Sequence, residues 1–134
     1  METISVRTDS RSQMIDVTDR VQLAVDKSKV KSGACLVFVA HTTAGVTINE
    51  NADPSVRRDI LGYLDRAIPQ EADWEHGEGN SPGHLKASLM GASVTVPVDE
   101  GRLVLGTWQG IYLCEFDGPR SRKIQVQVLL GRES

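Results

Sequence analysis

The chain has 134 residues, with 15 Lys and Arg against 18 Asp and Glu, giving a formal net charge of −3. That length fits one domain, and a composition that is 40% hydrophobic and 25% charged excludes wholesale disorder and the fibrous classes. Mild acidity without a basic block also argues against nucleic acid as the main partner, because neutralising phosphates takes clustered Lys and Arg.

The longest apolar run, Ala34 to Ala40, is far shorter than the ~18 residues of a membrane span. The opening segment has no basic region followed by an apolar one, so we expect a cytoplasmic protein with no membrane partner. Cys35 and Cys114 sit in separate apolar runs without CxxC spacing and read as reduced core thiols.

Ile4 and Val6 alternate with polar residues and suggest a first strand; Met14 to Val17 suggests a second. Asp16 or Thr18 then caps a helix running to about Lys29, with Val17, Val21, Ala24 or Val25 on its inner face and Gly33 beyond its end. Cys35 to Val39 is continuously apolar, as in a strand covered on both sides, and Val46 to Asn49 reads as its hairpin partner across His41 to Gly45. Asp53 and Pro54 form a cap and first-position pair, and Val56, Ile60, Leu64 and Ile68 repeat every fourth residue until Pro69. Gln70 to Gly83 has no periodicity and reads as a long loop. A short helix from Pro82 to about Met90 follows, capped by Ser81 and ended by Gly91.

Val94, Val96 and Val98 alternate with polar residues, Asp99 to Gly101 turns, and Arg102 to Leu105 returns as a hairpin strand. Ile111 to Phe116 and Lys123 to Leu130 read as another hairpin around Asp117 to Arg120. Strand-rich ends with two main helices between them lack regular βαβ alternation, so the expected class is α+β, a single domain with a largely antiparallel sheet.

The chain's three histidines, His41, His76 and His84, all fall in the segments that look least like packing. Three imidazoles with an open position form an established zinc arrangement; the competing reading is hydrogen-bonded core or surface histidines. The glycine-rich His76 to His84 stretch exposes amides ahead of a helix N-terminus, a setting that favours anions, with Lys86 adding positive charge and Thr42 and Thr43 adding hydroxyls. An ordinary capped loop and turn fit the same residues. Glu50, Asp53 and Glu78 supply carboxylates for orienting imidazoles, binding a hard cation or moving protons, although Asp53 competes as a helix cap. Glu115, inside an apolar strand, must be exposed or paired. Trp108 and Gln109, bracketed by Gly106 and Gly110, line a pocket or simply pack a hairpin.

At these segments the sequence resembles a known family. His41-Thr-Thr-Ala-Gly-Val-Thr-Ile-Asn-Glu50, His76-Gly-Glu-Gly-Asn80 with His84-Leu-Lys86, and Gly106-Thr-Trp-Gln-Gly110 through Glu115 are similar to the signatures of the YjbQ family, often named secondary thiamine-phosphate synthase. The resemblance implies a compact α+β protein assembling as a homotrimer, with the histidine cluster near a subunit interface, and a weak thiamine-phosphate synthase activity. Carried over by position, His41, Asn49, Glu50, His76, Glu78, Asn80, His84, Lys86, Trp108, Gln109 and Glu115 match. The resulting expectation is an enzyme acting on a small phosphorylated metabolite. His41, His76 and His84 hold a divalent metal, zinc first and magnesium second. Glu50, Glu78 and Asn80 take catalytic roles. Thr42, Thr43, Asn49, Lys86, Trp108, Gln109 and Glu115 bind substrate. Metal-assisted phosphoester hydrolysis, or non-catalytic metal or small-ligand binding by a trimer, are the alternatives.

Overall fold

The computed structural model describes residues 1–132. Strands β1 (Glu2–Arg7) and β2 (Gln13–Asp16) lead into helix α1 (Thr18–Ser28), followed by β3 (Gly33–Val39) and β4 (Ala44–Glu50). Helices α2 (Pro54–Ala67) and α3 (Ser81–Met90) come next, then β5 (Ser93–Asp99), β6 (Arg102–Leu103), β7 (Gln109–Glu115) and β8 (Ser121–Leu130). All pairings are antiparallel, in a five-stranded sheet ordered β1-β8-β3-β5-β6 and a three-stranded sheet ordered β2-β7-β4. The class is α+β, as the pattern of elements predicts.

Two of the three predicted hairpins do not form. β3 pairs with β5 and β8, while β4 pairs with β7 in the other sheet, so the His41 to Thr43 segment crosses between sheets. β7 and β8 likewise belong to different sheets, and Asp117 to Arg120 is a second crossing. Only β5 and β6 pair as read, with Val98 opposite Leu103. Alternation identifies a strand and its faces, but ladder bonds join backbones and so leave no mark of the partner in the sequence.

The crossings matter because a core fills the space between the sheets. Val37 and Val39 of β3, Val46 of β4, Ile111 and Leu113 of β7 and Ile124 and Val126 of β8 form one buried cluster with Val21 and Val25 of α1. The opposite face of β7 presents Tyr112 and Cys114 to a second cluster that includes Met14 and Ala87, against which Ile60, Leu61 and Leu64 of α2 pack. Being covered on both faces explains why β7 is continuously apolar. Burial raises the Cys35 thiol to about 11 and the Cys114 thiol to about 12, so both are protonated, unreactive core groups.

Local capping follows the sequence in part. Asp53 accepts the Ser55 amide at 2.9 Å with Pro54 in the first turn, as read. In α1 the N-cap is Val17, and Asp16 instead holds the amide and hydroxyl of Thr18. Its C-cap is Lys29, at φ 62°, while Gly33 belongs to β3. In α3 the N-cap is Asn80 and Ser81 is the first helical residue.

Candidate functional site

The two crossings converge. Thr43 ends the first and accepts the Phe116 amide on its carbonyl at 3.1 Å, which ties it to the start of the second. Helix α3 begins against both: a Cβ on Gly83 would come 3.0 Å from the Phe116 carbonyl oxygen and 3.3 Å from the Thr43 methyl group, a fit so close that a side chain there would push its neighbours aside by a few tenths of an ångström. Gly118 is more constrained still, since a Cβ there would lie 2.2 Å from the Ser10 carbonyl oxygen and 2.8 Å from Cγ of Glu115.

Beneath this junction lies a buried ion pair. Glu115 is fully buried and Arg122 is 3% exposed. Arg122 donates from Nε and Nη2 to the two carboxylate oxygens of Glu115, and from Nη2 to the carbonyl and hydroxyl oxygens of Thr43. Glu115 also accepts from the Thr8 hydroxyl and from the amides of Phe116 and Asp117. Burial alone would raise the Glu115 carboxyl, but the bonds from Arg122, the Asp117 amide and Thr8 outweigh it and hold the pKa below the ordinary value. The third guanidinium nitrogen, Nη1, has no protein partner among the described residues.

Arg122 forms part of the wall of an open cavity of about 470 Å³, together with Arg120, Thr42, Thr43, Asn80, Glu78 and the histidines His41, His76 and His84. Asp117 organises the rim: its carboxylate accepts from Asn80 Nδ2 at 2.9 Å and from Arg120 Nη2 at 3.0 Å. The His76 and His84 rings stand edge to face with centroids 5.1 Å apart, and His76 Nε2 is 3.8 Å from the Glu78 carboxylate. Trp74, Ser81 and Leu85 form a more apolar recess on the far side of these two histidines.

The three histidines share this cavity but not a coordination geometry. Among the described residues, no three His, Cys, Asp or Glu side chains are placed to hold one ion. His41 Nε2 accepts the Lys123 amide at 3.0 Å. Burial and the nearby Arg122 charge lower its pKa, so the ring is neutral with its proton on Nδ1, and neither nitrogen has a lone pair for a metal. The expected His41, His76 and His84 ligand set therefore does not fit the residues as arranged.

Other predicted site residues lie elsewhere. Lys86 is buried, its ammonium paired with Asp65 of α2, and it joins helix to helix rather than facing the cavity. Asn49, Glu50, Trp108 and Gln109 lie at the opposite end of the β4–β7 ladder, where Glu50 faces Gln109. There Asn49 Oδ1 accepts the Glu50 amide, Gln109 Oε1 accepts the Gly106 amide, and Trp108 is exposed. Glu115 reaches the site only through Arg122.

Sequence reasoning missed Arg120, Arg122 and Asp117. For Arg122 a signal existed: it occupies the same face of β8 as Ile124, Val126 and Val128, and an arginine on an inward face must have a buried partner.

The sequence and the fold recur in known proteins. Residues 2–131 match the family model described as UPF0047 protein YjbQ-like. YugU of Bacillus subtilis, a UPF0047 protein, is 48% identical over 130 residues, covering 96% of this chain and 98% of that one. A UPF0047 protein of Methanocaldococcus jannaschii is 48% identical over 124 residues, 92% of this chain and 90% of its own. A crystal structure of an uncharacterised YjbQ/UPF0047 protein from Clostridium acetobutylicum superposes with a TM-score of 0.95 at 53% identity, over 96% of this chain and all of that one (100%). By sequence and by fold, the chain belongs to the UPF0047 (YjbQ-like) family.

Proposed function

We propose that the cavity binds a small phosphorylated metabolite and that the protein is an enzyme acting on it by displacing a phosphate or pyrophosphate group. The observation that carries this reading is the Nη1 edge of Arg122. A guanidinium buried by its own carboxylate partner, with one edge left unbonded at a cavity wall, is a preorganised donor for an oxyanion. Arg120 and the Thr42 hydroxyl add donors on the same wall. Charge developing on a leaving phosphate is then met by groups that need no reorganisation, and positioning supplies the rest of the rate.

The thiamine-phosphate synthase reaction implied by the resemblance lies within this class. In it the pyrimidine-methyl carbon–oxygen bond breaks, pyrophosphate leaves, and the thiazole nitrogen takes the carbon. Here Arg122 and Arg120 hold the departing oxygens, and His84 or His76 protonates them. Hydrolysis of a phosphoester is the second reading, favoured by the imidazole of His76 and the Glu78 carboxylate standing 3.8 Å apart at the cavity, two groups of the kind that activate water.

Calorimetric titration with pyrophosphate tests the site. Arg122→Lys, which keeps the charge but loses the fork, and Arg120→Met, which removes an exposed cation, should each weaken binding about tenfold or more, as loss of a charge-assisted hydrogen bond does. Undiminished binding in both variants overturns the reading. Turnover is tested by phosphate and pyrophosphate release across a panel of phosphorylated metabolites, with and without added divalent metal; binding without release on every member makes the protein a binding module instead. The proposal includes assembly as a homotrimer, supported by the exposed apolar side chains of Tyr63, Leu89 and Trp108. Light scattering that gives a monomer mass at all concentrations overturns that part.

A further inference from the structure

Among the described residues one buried side-chain polar atom has no partner, and it belongs to the cavity: Oδ1 of Asn80. The orientation of this amide is fixed, because Nδ2 donates to the Asp117 carboxylate, which Arg120 also holds; turning the amide over would set oxygen against oxygen. An asparagine at a helix N-cap normally uses Oδ1 to accept the amide of the second or third helical residue. Here the second is Pro82, which has no N–H, and the amide of the third, Gly83, bonds the Asn80 main-chain oxygen at 3.0 Å. The usual cap is thus unused, and an acceptor shut away from water without a donor is a standing cost that a bound group can remove.

We propose that Asn80 Oδ1 receives a hydrogen bond from an amino or hydroxyl group of the bound molecule, so that the site selects phosphorylated molecules carrying such a donor close to the phosphate. This rests on the reading of Arg122 as the phosphate anchor, and it adds what the arginines cannot: they recognise any oxyanion, whereas an orphaned acceptor discriminates against ligands that leave it unpaired. Asp117 is the positioning residue, since one carboxylate orients both the Asn80 amide and the Arg120 guanidinium. The Gln70–Gly79 loop leading into Asn80 is exposed at every residue except Trp74.

The test compares ethyl phosphate, 2-hydroxyethyl phosphate and 2-aminoethyl phosphate by calorimetry on the wild-type protein, Asn80→Ala and Asn80→Ser. Wild type should bind at least one of the donor-bearing probes about tenfold or more tightly than ethyl phosphate, and the better of the two identifies the donor. Asn80→Ala should erase that preference, binding all three probes within about threefold of one another, and Asn80→Ser should restore part of it. Equal wild-type affinity for all three probes, or a preference that survives in Asn80→Ala, overturns the inference and leaves the phosphate reading standing. No binding of any probe to wild type overturns the phosphate reading and the inference with it. If Asn80→Ala misfolds, Asn80→Ser decides in its place: its preference should be smaller than that of wild type, and an undiminished preference overturns the inference.

Discussion

At the Ala44–Glu115 end of the β4–β7 ladder, charged side chains are buried, held by carboxylates and main-chain groups, and arranged around a cavity. At the Glu50–Gln109 end of the same ladder, polar side chains are exposed or half-buried and are largely satisfied by their own neighbours in the chain. Both ends carry residues that match family signatures, yet a strand rises about 3.3 Å per residue, so the two ends of a seven-residue strand are about 20 Å apart. Recognisable sequence therefore marks two places, and only one has the burial and fixed charge that make a side chain chemically special in this chain. The other gains a role only if another molecule covers it.

The largest expected contrast is in stability. Glu115→Ala leaves the Arg122 guanidinium buried and unpaired and should cost about 3–5 kcal/mol, measured by urea denaturation. Gln109→Ala at the far end should stay within about 0.5 kcal/mol. A mild Glu115→Ala would mean that the pair is not the keystone of the near end.

Acid should act on the same end. The folded Glu115 pKa is depressed, so its contribution is fully present above the unfolded carboxyl value of about 4.3 and is lost as pH falls through the folded value. His41 acts in the same direction at higher pH: its folded pKa is also lowered, so the unfolded chain binds the proton more readily and stability declines as pH falls below about 6.5. Denaturation midpoints at pH 7, 5.5 and 4 should fall in steps, and His41→Asn should remove the step between 7 and 5.5. A step unchanged in that variant would assign it to another group.

The smallest effect belongs to Trp108→Ala, which should change the stability of the folded chain by less than about 0.5 kcal/mol and leave pyrophosphate affinity unaltered. A loss of affinity accompanied by a change in assembly would show that the far end completes a site in a neighbouring copy, and would dissolve the contrast between the ends.

Much of the fold was legible because burial imposes a period. The β5 and β8 alternation, the α1 stripe of Val17, Val21, Ala24 and Val25, and the Asp53-Pro54 start of α2 all follow from local side-chain and backbone preferences. So did the presence of something unusual near His41 and from His76 to His84, because neither segment fits a packing pattern. What the sequence could not carry was which strand lies beside which. His41 to Thr43 and Asp117 to Arg120 read as hairpin turns, but each crosses between sheets, and their meeting is what places Arg122, Asn80 and the histidines around one cavity. Tertiary structure alone also decided the partners of the charges: Lys86 turned to Asp65, Glu115 to Arg122, and His41 lost its Nε2 to a backbone amide. A residue's type sets what it can bind, but distance and desolvation decide what it does bind, and both are created only when segments remote in the chain pack together.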